Sequence, residues 1–383
     1  MKNLDKQTAR SIIKYIFRRE AYLNQAEKLR LLSSALEKAV TVTDFIEVGC
    51  ALASRSCGDD KHRAREAFST AENLIDDEDA TTLLTLARNV IAPDLLDDKV
   101  WGRQLLERGV ENTTEFNELV EAAMEASSPE GLADRSWAKT LLKQAVSNEI
   151  DFDSLIEAAS VAGRSDAIND KRWSRELFHQ AIATNDEVTS HELIQAALQI
   201  TDDDVLGDKS WGRNLIEKAC EDLQYGNDYL MVALCYAHSK KLNDKVRGFE
   251  WFQRAVGQYS IDTPADFFEI AQMVASKDIL SFDLWAAALC ETTANNSRDA
   301  TELVDIACFV STIDAREGLA AEIFKRAQEC SKSPYELTMV AINVAIKFPA
   351  LKRDWARRIF VHALQNADEI QKEMIEESME EYL

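Results

Sequence analysis

The sequence predicts an all-α protein, a right-handed α-solenoid of about ten antiparallel helix-pair repeats of roughly 36 residues each. Three observations predict it. A phrase built on tryptophan recurs in DKVWGRQLLERG from Asp98, DRSWAKTLLKQA from Asp134, DKRWSRELFHQA from Asp170 and DKSWGRNLIEKA from Asp208. Its anchors Trp101, Trp137, Trp173 and Trp211 lie 36, 36 and 38 residues apart. The chain also has only 12 Gly and 5 Pro in 383 residues, too few for a fold made of strands and turns.

The array extends once the anchor is allowed to vary. Leu31 and Arg63 serve upstream; Arg247, Trp285, Leu319 and Trp355 serve downstream, and Trp251 sits four residues after its anchor. With the anchor at zero, position +1 is small in nine of ten units, among them Gly102, Ala138, Ser174, Gly212 and Ala356. Position +5 is large and apolar (Phe68, Leu106, Phe178, Phe252, Phe324, Phe360), and position +8 is nearly always Ala. Offsets 0, +1, +4, +5 and +8 share one stripe of a helix with 3.6 residues per turn. Asp60, Asp98, Asp134, Asp170, Asp208 and Asp244 stand three residues before their anchors, where a carboxylate caps the first turn and meets the positive helix end.

Another helical motif follows most anchors after about 18 to 20 residues. It reads LVEAAMEA from Leu119, LIEAASVA from Leu155, LIQAALQI from Leu193, FFEIAQMVA from Phe267, LVDIACFV from Leu303 and LTMVAINVA from Leu337. Polar stretches such as residues 184–187 and 201–204 separate the helices. The anchor helices resemble the second helix of tetratricopeptide repeats, with a small residue, an aromatic or large one, then Ala: Ser174, Phe178 and Ala181, or Ala356, Phe360 and Ala363. Val161–Ala162 matches a step of the family's first helix, while Ser165 stands where the family has an aromatic. The resemblance spans roughly residues 20 to 365 and implies a superhelix with a concave groove that binds a partner. The expected organisation is a basic N-terminal capping helix (1–30), tetratricopeptide-like repeats (31–365) and an acidic C-terminal capping helix (366–383). The unbroken period makes the whole one elongated domain.

Composition narrows the function. The net charge is −23, with +5 in residues 1–31 and −28 in the rest. An acidic body repels phosphate backbones, so the partner expected is a protein, basic or extended, and no nucleic acid. No 18-residue apolar run exists, and Ile12–Phe17 is too short for a signal-peptide core, so neither membrane contact nor export is expected. Seven scattered cysteines fit reduced, structural thiols in a cytoplasmic protein. The five histidines are isolated, and neither CxxC, GxxxxGK[ST], GxGxxG nor GxSxG occurs, so no metal, cofactor or catalytic residue is expected.

Two sets of residues are candidates for partner binding. The first is an acidic or polar residue two places into the recurring motif, at Glu121, Glu157, Gln195, Glu269 and Asp305, with Glu47 upstream. In a superhelix these line up as a ribbon, although a solvated helix face gives the same pattern. The second is the basic stripe Lys2, Lys6, Arg10, Lys14 and Arg18, opposite Leu4, Ile12, Ile13, Ile16 and Phe17. It is either a solvated face or a strip that docks on acids. The tryptophans share a stripe with Ala and Phe and are expected in the core or between repeats. The expected function is a scaffold or adaptor, in a specific version an inhibitor or immunity-type protein covering a basic surface. The alternative is an enzyme or enzyme subunit with its site inside the superhelix. Oligomeric state is not set by the sequence.

Overall fold

The anchor helices begin where the aspartates lie. In the computed structural model, which describes residues 8–18, 23–76, 79–147, 151–184, 188–223, 225–258, 264–313, 318–348 and 353–383, all six accept the backbone N–H of their anchor residue through the carboxylate. The Trp101, Trp137, Trp173 and Trp211 bonds are each 3.0 Å long. Each aspartate's own N–H reaches back to the end of the preceding helix, as Asp134 does to the Ala126 carbonyl at 2.7 Å. The residue just before it turns through the left-handed region: Asp59, Asp97, Ala133, Asn169, Gly207 and Asn243 have φ between 50° and 68°. A seven-residue turn is thereby closed at both ends by backbone bonds and a cap.

Two compact units divide the chain, residues 1–188 with 204–207 and residues 189–203 with 208–383. The N-terminal unit holds α1 (Ala9–Arg18), α2 (Gln25–Glu37), α3 (Val42–Ala53), α4 (Lys61–Leu74), α5 (Ala80–Ile91), α6 (Lys99–Glu111), α7 (Phe116–Ser127), α8 (Arg135–Ala145), α9 (Phe152–Gly163) and α10 (Lys171–Thr184). The C-terminal unit holds α11 (Ser190–Ile200), α12 (Lys209–Ala219), α13 (Gly226–Ala237), α14 (Lys245–Gln258), α15 (Pro264–Ala275) and α16 (Asp283–Asn296). It continues with α17 (Ala300–Val310), α18 (Leu319–Cys330), α19 (Pro334–Lys347), α20 (Arg353–Gln365) and α21 (Glu369–Tyr382). Among the described residues there is no strand. The expected all-α stack of helix pairs is what forms.

The hairpins pair each odd-numbered helix with the anchor helix that follows it, from α1 with α2 to α19 with α20; α21 packs on α19 and α20. The expected stripe is their core. Phe68, Phe178, Phe252, Phe324 and Phe360 are fully buried, as are Ala145, Ala181, Ala219, Ala327 and Ala363 to within 1 %. The small +1 residue is needed because the two helices of a hairpin nearly touch there. A Cβ on Gly102 would stand 2.2 Å from Ile91 Cγ1, and one on Gly212 would stand 2.1 Å from Thr201 Cγ2. Full burial of one such Phe contributes about 1.5–3 kcal/mol, which is why the period is carried by these positions.

Some expectations are corrected at the edges. Ile12, Ile13 and Ile16 are buried as expected of the docked side of α1, but Phe17 is 51 % exposed because it lies a quarter-turn past that side. In α21, Ile375 is buried while Met374, next to it, points outward at 59 % exposure. Lys2, Leu4 and Lys6 lie outside the described residues, as do the side chains of Arg18 and Ile370.

Candidate functional site

Successive hairpins are joined by two sets of side-chain rungs. One runs along the anchor helices of the N-terminal unit. Arg65, two residues after its anchor, donates to Asp98 and lies over the Trp101 ring at 5.0 Å. Arg103 repeats this on Asp134 (3.0 Å) and Trp137 (4.9 Å), and Lys139 on Asp170 and Trp173 (5.3 Å). Asp98, Asp134 and Asp170 therefore each serve their own helix and the cation of the previous repeat. The Trp101 N–H holds Asp98 below the usual carboxylate range, against some burial, and Arg65 adds to it. Asp134 is lowered in the same way, and Asp170 chiefly by Lys139. The tryptophans are half-buried between repeats, one of the two places expected for them. The sequence reading missed the rung, although Arg65, Arg103 and Lys139 stand at +2 in consecutive units.

The second set lies on the odd-numbered helices, where the ribbon was expected. Arg88 on α5 donates to Glu121 at 3.1 Å and approaches Glu125 at 3.4 Å on α7. Burial raises the Glu125 pKa, and Arg88 opposes the rise. Arg88 and Glu125 edge a cleft of about 180 Å³, whose wall also includes Ile91, Pro93, Asp94 and Glu130. Cys50 donates to Asn89 and Cys308 to Asn343, both at 3.2 Å and both between neighbouring odd-numbered helices. Glu157, Glu269 and Asp305 are exposed, Gln195 is half-buried, and none of the four has an ion pair among the described residues. Gln195 lies with Glu269 and Asp305 in the C-terminal unit; Glu121 and Glu157 lie in the other.

Arg10 reaches Glu47 at 3.3 Å and Asp44 at 3.6 Å on α3, so this part of the basic stripe rests on the first acid of the ribbon series. Lys14 is exposed. Burial pushes the thiols of Cys50, Cys220 and Cys235 up to about 11 and that of Cys290 to about 12, so these groups stay protonated at neutral pH. Among the described residues no three His, Cys, Asp or Glu side chains gather as metal ligands would, and no helix is long and apolar enough to cross a membrane.

No family model and no curated protein sequence matches the chain. Among solved structures, a Sel1 repeat protein from Oxalobacter formigenes is similar at 12 % identity and a TM-score of 0.30, over 82 % of this chain and 89 % of that one. The protective antigen c5321 of uropathogenic Escherichia coli, which displays an SLR fold, is similar at 11 % and 0.29, over 97 % and 79 %. Likeness this low adds nothing to what the chain's own helix pairs establish.

Proposed function

We propose that the chain is a protein-interaction scaffold whose odd-numbered helices offer an acidic, preformed surface to a basic or extended segment of another protein. The observation that carries the reading is the exposure of Glu157, Glu269 and Asp305 without a cation among the described residues, in a chain of net charge −23. Where cations do stand beside this series, as Arg88 at Glu121 and Arg10 at Glu47, they come from the chain itself. A partner's Lys or Arg would take the corresponding place at the remaining acids, with Gln195 accepting a neutral donor. Lys14, together with Lys6 and Arg10, would meet acids of the same partner at the N-terminal edge. An inhibitor or immunity-type role is the specific form in which a basic active surface is the thing covered. Such a surface acts mainly on association rate and partner choice.

The test is capture of a partner from lysate at graded salt, with the natural chain and a variant carrying Glu121→Gln, Glu157→Gln, Glu269→Gln and Asp305→Asn. Capture by the natural chain should weaken with salt, and the variant should lose most of it at low salt. A second variant with Lys6, Arg10 and Lys14 changed to Gln separates the basic edge. Identical capture by all three proteins across the salt series sinks the reading.

A further inference from the structure

At the ribbon position five of the other odd-numbered helices carry an acid (Glu47, Glu121, Glu157, Glu269 and Asp305), while α5, α11 and α13 carry Thr85, Gln195 and Met231. On α19 the position holds Met339, and it is one member of a stripe formed by Tyr335, Met339, Ile342 and Ile346. The spacings of four, three and four are those of the apolar seam by which one helix packs along another. Within the chain this seam is poorly covered: Tyr335 is 65 % and Ile346 50 % exposed, and Met339 and Ile342 are half-buried. Apolar residues scattered singly on a surface mean little, but a helix-periodic row of them is what a partner helix covers.

The charges around the seam say what kind of helix. α17 and α21 pack against α19. Asn343, beside Ile342, receives the Cys308 thiol of α17 at 3.2 Å, and exposed Asp305 is one turn before Cys308. α21 contributes exposed Glu373, Glu376 and Glu377. Along α17, α19 and α21 the cations are Lys332 and Lys347 at the two ends of α19, and Lys372, which is held by Glu369 at 2.9 Å; α20, the hairpin partner that shares the buried core of α19, adds exposed Arg353, Arg357 and Arg358. A second copy of the chain would bring the same acids to the seam. Its basic helix α1 has its isoleucines already buried in its own hairpin.

We infer that the Tyr335–Met339–Ile342–Ile346 face of α19 is a docking seam for a basic amphipathic helix of another protein, its apolar row on the seam and its Lys or Arg residues toward Asp305 and the α21 glutamates. The inference rests on the scaffold reading and gives it a place and a partner class. Helix-on-face recognition of this kind depends on anchors at the same three- and four-residue spacings in the partner.

The test uses the full chain and two synthetic peptides of about three heptads with Leu at the seam positions, one flanked by Lys and one by Glu. Binding is read by fluorescence anisotropy at low and high salt. The Lys-flanked peptide should bind and the Glu-flanked one should not. Tyr335→Asp with Ile346→Asp, both at exposed positions, should weaken binding by about tenfold or more, while Ile346→Leu retains it. Asp305→Asn should weaken binding a few-fold, and only at low salt. Equal affinity of the natural chain and the double Asp variant overturns the seam; lysate capture that persists in that variant then leaves the scaffold reading standing. Absence of binding by the Lys-flanked peptide, or a preference for the Glu-flanked one, also overturns the inference. So does concentration-dependent dimerisation of the natural chain that the double variant abolishes, since the seam would then bind a second copy.

Discussion

From α4 to α10 of the N-terminal unit a cation lies between successive anchor helices; between α14 and α16 of the C-terminal unit the same position holds Phe249. That ring meets Trp285 edge-on at 5.0 Å and Phe282 at 5.6 Å. Phe282 occupies the capping place that Asp98, Asp134 and Asp170 fill elsewhere, and α16 accordingly has no side-chain cap. The backbone turn survives the exchange, for Ser281 keeps a positive φ of 56° and Phe282 still donates to the Val274 carbonyl at 3.0 Å. The geometry of the repeat is thus set by the hairpin, and the rung between hairpins can be ionic or aromatic. What differs is the response to solvent, because ion pairs answer to salt and pH and apolar contacts do not.

The largest effects should be blind to this difference. Phe178→Ala in one unit and Phe324→Ala in the other remove fully buried rings at equivalent places, and each should cost about 3–5 kcal/mol in denaturant unfolding. A loss in one unit only would mean that the two cores are not alike. Next come Ala181→Leu and Ala327→Leu, which should overpack equivalent helix crossings at about 1–3 kcal/mol each; an unmoved midpoint for both would remove these positions from the core.

Smaller effects should separate the units. Asp134→Ala deletes the cap of α8 and the partner of Arg103 together, and should cost about 1 kcal/mol, within a range of about 0.5–2. Acid should act on the same rungs. The native pKa values of Asp98, Asp134 and Asp170 lie below that of an unfolded aspartate, so their contribution is complete above about pH 3.9 and disappears as pH falls through the native values. Amide exchange below about pH 4 should therefore open α6, α8 and α10 ahead of α16. Simultaneous opening of all four would show that the ionic rungs are irrelevant to acid stability. Least of all, Arg10→Gln should change stability by at most about 1 kcal/mol, since its bonds to Asp44 and Glu47 are half-exposed.

Much of this architecture is legible in the sequence because burial imposes a strict period. Phe178 and Ala181 recur as equivalents in unit after unit, and the capping aspartates announce where each anchor helix starts. The left-handed residue before the cap was readable too, as a run of Asp, Asn and Gly broken by Ala133 and Ser281, residues of which most accept that conformation at small cost. The cation over the next tryptophan was harder to see, since it joins residues 34 to 36 apart and requires knowing which faces meet. The candidate ribbon lies between these cases. Its positions follow from periodicity, but that Glu121 is tied to Arg88 while Glu157 is not depends on which side chains the neighbouring helix brings within reach.

The seven-residue turn carries a consequence for the history of such a chain. Its left-handed residue, its backbone bond and its cap all belong to one hairpin, as Ala133, the Asp134–Ala126 bond and the Trp137 cap belong to α7–α8. That closure is complete within its hairpin, although two later turns add a main-chain bond to the next one, Asp203 to the Lys240 carbonyl and Ser239 to the Asp278 carbonyl. Gene duplication or deletion of one whole period would leave each turn's own closure intact and ask that the two surfaces brought together meet, so repeat number is a variable that can change in single steps.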